Sequence, residues 1–108
     1  MAKKTVVNMS GVSEVARRYA DYIQNEIHVS EIYLFGSYVR GNIHVDSDID
    51  IAVVSDSFTG DPIDDLTMLL ILKSRIDNRI EPHPFLPEDF TTDNPFVKEI
   101  IESGIRIA

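Results

Sequence analysis

Gly36-Ser37-Tyr38-Val39-Arg40-Gly41, with ten residues between Ser37 and the following Asp48-Ile49-Asp50-Ile51-Ala52-Val53-Val54, is the stretch on which the reading of this chain turns. A glycine-led turn of phosphate size stands just upstream of two carboxylates. Side chains alternate along a strand, so Asp48 and Asp50 fall on one face and Ile49 and Ile51 on the other. The run Ile51-Ala52-Val53-Val54 reads as buried on both faces, which suggests a central strand. Aspartate is a poor strand former, and two on one face repel each other. The ordinary alternative for such a pattern is a solvated face. A divalent cation offsets the repulsion directly, and paired carboxylates on a rigid element are a means of holding Mg²⁺ against a nucleoside triphosphate.

Outward from this stretch, strands and helices alternate. Ser10 or Ser13 can open a helix in which Val12, Val15, Ala16, Tyr19, Ile23 and Ile27 recur at helical spacing. Glu31 to Phe35 is a β-branched and aromatic strand that Gly36 ends, and Ser37 to Gly41 is a short helical turn with Ser37 as its N-cap. The second strand covers Asp48 to Val54. Asp61-Pro62 then starts a helix running to about Asn78 and burying Leu66, Leu69, Leu70 and Ile76. Arg79 to Leu86 is a third strand, which Pro82 and Pro84 push to a sheet edge because neither can donate a ladder hydrogen bond. Asn94-Pro95 caps a last helix through Ser103, Gly104 stops it, and Ile105 to Ile107 adds a short strand. The expected architecture is α/β (α+β), a small mixed sheet flanked by helices, in one domain over residues 1–108.

Composition narrows the class. With 108 residues and 44% hydrophobic content the chain can form a single core. No apolar run reaches the ~20 residues of a membrane span, the start is not a convincing signal peptide, and the absence of cysteine is compatible with a cytoplasmic protein. A net charge of −8 disfavours an extended nucleic-acid groove and makes a basic partner protein plausible.

Several side chains are candidates for the chemistry. Glu81, on the next strand, is the best third carboxylate for a metal pair; its alternative is an exposed edge residue. Gly36 lets backbone approach a ligand closely, and amides opening the following turn favour a phosphate. The Ser37 hydroxyl can add a hydrogen bond or simply cap the turn. Arg40 can neutralise phosphate, stand in solvent or pair with Asp46. His83 shares a strand face with Glu81 and can touch a metal ligand, a phosphate or the leaving group, or be a surface residue. Tyr38 can line a base pocket or belong to the core, and His28 and His44 have no neighbours that suggest a site.

The combination Gly36-Ser37-Tyr38-Val39-Arg40-Gly41 with Ser47-Asp48-Ile49-Asp50-Ile51 closely resembles the minimal nucleotidyltransferase (MNT) family of the DNA polymerase β superfamily. The resemblance implies a polymerase β palm-like catalytic domain over nearly the whole chain. It implies that Asp48 and Asp50 bind two catalytic Mg²⁺ ions and that Glu81, in Arg79-Ile80-Glu81-Pro82-His83-Pro84-Phe85, completes the site. Gly36, Ser37 and Arg40 would then hold the triphosphate, and Glu81 could act as general base. The implied reaction is attack by a hydroxyl on the α-phosphate of a nucleoside triphosphate, ATP in the first instance, releasing pyrophosphate. The chain ends where larger relatives begin an acceptor-binding lobe, so the acceptor is expected on another chain, with a homodimer as a further possibility. MNT proteins of this kind are typically paired with a small helical HEPN ribonuclease as toxin and antitoxin. The alternative to catalysis is a binding module that neutralises its partner by occlusion.

Overall fold

In a computed structural model, which describes residues 9–41 and 48–108, the elements follow in the order α1 (Met9–Glu26), β1 (Glu31–Phe35), α2 (Ser37–Arg40), β2 (Ile49–Val54), α3 (Pro62–Lys73), β3 (Ile80–Phe85), α4 (Pro95–Ser103) and β4 (Ile105–Arg106). The four strands form one mixed sheet in the order β3-β2-β1-β4. β1 runs antiparallel to both β2 and β4, whereas β2 and β3 are parallel. Parallel neighbours need a crossover connection, and α3 supplies it. The expected mixed sheet flanked by helices is what forms. The readings placed on Met1 to Asn8, His44 and Asp46 lie outside the described residues. Among the described residues no helix is long and apolar enough to cross a membrane.

Two apolar layers cover the sheet. On one face Ile32, Leu34, Ile49, Ile51, Val53 and Ile80 pack against α1 and α3. The inner stripe of α1 is the expected one, with Val12, Ala16, Tyr19 and Ile23 buried. On the other face Tyr33, Phe35, Ala52 and Val54 pack against Phe90, Val97 and Ile100. Phe35 brings that second layer level with Asp50, where it borders an open hollow.

Several expected elements are corrected: α1 is already helical at Met9, ahead of Ser10 and Ser13, and β4 is Ile105–Arg106, one residue shorter than expected. β2 begins at Ile49, so Asp48 stands one residue before the strand. β3 is Ile80–Phe85, one residue shorter at each end than expected. α3 ends at Lys73 rather than near Asn78, and it buries Asp65, Leu69 and Leu72 while Leu66 and Leu70 lie on the surface and Ile76 is half-buried. Apolar residues surround this helix on nearly every side, so helical spacing alone does not select its inner face. Ile63 and Ile71 join Leu66 and Leu70 on the exposed side.

Polar anchors fix α3 at each end. Asp61 caps it, its carboxylate accepting from the amides of Ile63 (2.9 Å) and Asp64 (3.3 Å). The buried Asp65 carboxylate accepts from the Thr59 amide and hydroxyl and from the Gly60 amide, tying down the preceding loop. After the helix, the Asp77 carboxylate accepts two bonds from the Arg79 guanidinium (3.0 and 2.8 Å) and one from its amide (2.8 Å). This clamp sets the turn that delivers β3 to the sheet.

Two of these contacts can be tested by their effect on stability. The buried Tyr19 hydroxyl donates to the Leu69 carbonyl at 2.8 Å, joining α1 to α3, and burial pushes its pKa up, so it stays a donor. Tyr19→Phe should cost about 1 kcal/mol in urea unfolding with an unchanged m-value. The hydrogen-bonded Arg79 guanidinium holds the Asp77 carboxyl below its ordinary value. A depressed carboxylate stabilises the fold above its unfolded pKa and loses that contribution as pH falls through its folded pKa. Asp77→Asn should therefore be less stable than wild type near neutrality, with the gap closing in acid.

Candidate active site

The strand register builds the site. Phe35 on β1, Asp50 on β2 and Glu81 on β3 are successive partners across the sheet, so the two carboxylates stand side by side on one face. Gly36 follows Phe35 with φ 85° and ψ −146°, backbone that side chains rarely tolerate. A Cβ at this position would collide with the Asp50 carboxylate. The glycine thus serves a close approach of backbone to an acidic group.

The turn after it is tight. The Val39 and Arg40 amides both donate to the Gly36 carbonyl, at 3.1 and 3.0 Å, and Gly41 closes the turn in a left-handed conformation. Gly36 rather than Ser37 occupies the N-cap, and no side chain caps it. Ser37 is instead the first helical residue, because the positive φ of Gly36 already turns the chain. Tyr38 is buried and takes its place in the core.

His83 lies two residues beyond Glu81 and therefore on the same face. Its Nε2 is 3.2 Å from Asp50 Oδ1. Among the described residues, Asp50, Glu81 and His83 are the group whose possible ligand atoms all lie within 4.8 Å of one another. Glu81 is exposed and on the edge strand, yet it also meets Asp50, so the two alternatives for it coexist. Its pKa is raised, first by hydrogen bonding with Asp50, then by partial burial and by the charges of Asp50 and Asp48; His83 opposes the shift. Asp48 is exposed and outside the tight group, although its charge reaches Glu81. Repelling oxygens and an imidazole nitrogen converging within a few ångströms suit a divalent cation.

Two hollows meet at this group. One, of about 250 Å³, is lined by Gly36, Arg40, Asp50, His83, Phe96 and Glu99 among others. The other, of about 470 Å³, lies between α3 and β3 and includes Leu66, Leu70, Glu81, His83 and Phe85. Arg40 thus faces the same hollow as Asp50, with its guanidinium 3.3 Å from Glu99. The suggested Asp46 partner lies outside the described residues. Phe96, Glu99 and Ser103 of α4 also line this hollow, and the motifs of the sequence do not point to them. The signal available is their spacing, three and seven residues apart, on one side of α4 that the buried Ile100 borders.

A family model described as polymerase beta, nucleotidyltransferase matches residues 18–108. The chain belongs to the polymerase β nucleotidyltransferase family. It is 32% identical over 104 residues to MJ1379 of Methanocaldococcus jannaschii, a candidate protein adenylyltransferase, covering 90% of this chain and 94% of that protein. A second candidate protein adenylyltransferase of the same organism, MJ0126, is 30% identical over 97 residues with the same coverages. Among solved structures, a candidate nucleotidyltransferase from Sulfolobus solfataricus superposes with a TM-score of 0.68 at 18% identity, over 98% of this chain and 87% of that one. A toxin–antitoxin structure with AMP-PNP superposes with a TM-score of 0.58 at 21% identity, over 85% of this chain and 72% of that one. These two share the fold. As a member of this family the protein is a nucleotidyltransferase, and such enzymes usually work with divalent metals. Asp50, Glu81 and His83 offer the donors such an ion needs.

The two positive-φ glycines that flank the tight turn separate backbone cost from site geometry. Gly41 has open space around it, whereas Gly36 lies against Asp50. Gly41→Ala should cost about 1 kcal/mol and leave nucleotide transfer within a few-fold of wild type. Gly36→Ala should cost more, roughly 2–3 kcal/mol, and lower transfer by at least about 100-fold by displacing the Asp50 carboxylate. Paired unfolding curves and transfer rates check both.

Proposed function

We propose that this nucleotidyltransferase transfers AMP from ATP to a hydroxyl of a partner protein in a Mg²⁺-dependent reaction, and that the partner is a helical HEPN ribonuclease to which it serves as antitoxin. The observation that carries the chemistry is the pairing of Asp50 with Glu81 beside Gly36, with a hollow on either side. In-line displacement needs the attacking and departing oxygens on opposite sides of the phosphorus, and two approaches to one acidic centre suit that requirement. The names of the two M. jannaschii relatives favour protein as acceptor. The likeness to a toxin–antitoxin structure with AMP-PNP favours an adenine nucleotide and a toxin partner.

In this reading Asp48 and Asp50 hold the metal ions, and Glu81 completes the position nearest the acceptor. Bound Mg²⁺ supplies charge neutralisation of the triphosphate. Gly36 and Ser37 receive the phosphate chain, and Arg40 turns its guanidinium from Glu99 toward phosphate oxygen. The acceptor hydroxyl oxygen bonds to the α-phosphorus as the bond to the bridging oxygen breaks, and pyrophosphate departs. The hydroxyl proton passes to the Glu81 carboxylate.

The exposed apolar side of α3, with Ile63, Leu66, Leu70 and Ile71, favours a second reading in which binding alone neutralises the partner. One experiment separates the two. With α-labelled ATP, Mg²⁺ and the cognate partner, wild-type protein should label the partner, and Asp50→Asn should lower labelling by more than about 100-fold while complex formation persists. A wild-type complex that forms but carries no label would overturn the transfer reading. Full neutralisation by Asp50→Asn would establish occlusion as sufficient.

A further inference from the structure

His83 has no part in the transfer chemistry just described, yet its placement is more constrained than a surface histidine requires. Its register partner on β2 is Ala52, whose methyl group leaves the imidazole room to lean toward Asp50. The ring packs edge-on against Phe35, at 5.0 Å between centroids and 61°, and against Phe96, at 6.0 Å and 62°, two rings that also touch each other. These aromatic contacts restrain the ring and so the direction of Nε2. It points at Asp50 Oδ1, 3.2 Å away, inside the 4.8 Å envelope that also contains a Glu81 oxygen.

These distances match a coordination shell. For metal–ligand bonds of about 2.1 Å, adjacent ligands of an octahedron are about 3 Å apart and opposite ones about 4.2 Å. The Asp50–His83 separation is already that of adjacent ligands, and the whole group needs little contraction. The geometry points to His83 Nε2 as a direct metal ligand which, with Asp50 and Glu81, forms a mixed nitrogen–oxygen site that holds Mn²⁺ more tightly than Mg²⁺. This deepens the metal-site part of the proposed function and is independent of whether nucleotidyl transfer occurs.

The metal preference follows from ligand chemistry. Mg²⁺ is a hard cation that takes oxygen donors and sheds water reluctantly, whereas imidazole suits first-row transition ions. Replacing one oxygen or water in the shell by a neutral ring nitrogen therefore favours Mn²⁺ over Mg²⁺. Without an ion, an Nε2–H donates to Asp50 Oδ1. With one, the Nε2 lone pair faces the metal and the ring proton resides on Nδ1.

The test uses the whole chain and Mn²⁺ alone, without nucleotide. Electron-spin-echo spectra of the wild-type Mn²⁺ complex should show a directly coordinated ¹⁴N, absent in His83→Gln, which keeps a hydrogen-bond donor near Asp50. Mn²⁺ affinity should fall about tenfold or more in His83→Gln, while Mg²⁺ affinity measured by competition changes less than about twofold. Asp50→Asn should weaken Mn²⁺ binding as well, which places the ion in this site. A wild-type spectrum lacking coordinated ¹⁴N overturns the inference whether or not the variants fold. So does an equal loss of Mn²⁺ and Mg²⁺ affinity in His83→Gln, which would make His83 a residue that only positions Asp50. Failure of label transfer in a protein that shows the ¹⁴N coupling would count against the transferase reading and leave this one standing.

Discussion

The parallel pairing of β2 with β3 is the constraint on which the site depends. It sets Glu81 opposite Asp50 and puts two like charges side by side at the open end of the sheet. Opposed like charges destabilise a sheet, so this register persists because packing elsewhere enforces it. Ile49 and Ile80 are paired and fully buried one residue earlier, and a slip of one position would turn a strand's apolar set into solvent. The hydrophobic face thus holds the carboxylates together against their repulsion. The raised pKa of Glu81 is the electrostatic mark of that compromise.

Gly36 couples this constraint to the neighbouring strand. β1 ends where Asp50 needs space, and only a residue without Cβ lets the chain turn there. The phosphate-sized turn and the acidic pair are therefore one structural unit. The ten intervening residues are compatible with that unit only because β1 and β2 pair antiparallel up to Phe35 and Asp50.

Much of this is legible in the sequence because it depends on local rules. Alternation places Asp50 on the face opposite Ile49 and Ile51, and the prolines send β3 to the edge, where it lies. Capping chemistry locates the starts of α3 and α4, at Asp61 and Asn94. The failures have equally physical causes. Leu66 and Leu70 read as core because α3 is apolar almost all round, and its buried face depends on the angle at which it crosses the sheet. Ser37 reads as a cap from residue type, whereas the backbone of Gly36 makes a side-chain cap unnecessary. The contact of His83 with Asp50 depends on the β2–β3 register and on the small size of Ala52, neither of which a single strand's pattern contains. Phe96 belongs to the site because α4 returns over the sheet there, a long-range consequence of the fold.

The segment Glu81-Pro82-His83-Pro84-Phe85 shows how one alternation meets two demands. The Ile49 amide donates to the Arg79 carbonyl and the Ser55 amide to the Phe85 carbonyl, so odd-numbered residues of this strand bond to β2. The backbone polar groups of the even-numbered residues face the open edge, and two of these residues, Pro82 and Pro84, have no amide hydrogen to offer another strand. The same parity directs the side chains of Glu81, His83 and Phe85 to the face that carries Asp50. Polar chemistry therefore occupies the positions held firmly by ladder bonds, while proline blocks pairing at the positions that are not. An edge protected in this way can stay uncovered, and the α3–β3 hollow beside Glu81 and His83 stays accessible to an incoming group. The irregularity that prolines bring to a strand is, at this edge, what keeps the acidic centre both ordered and open.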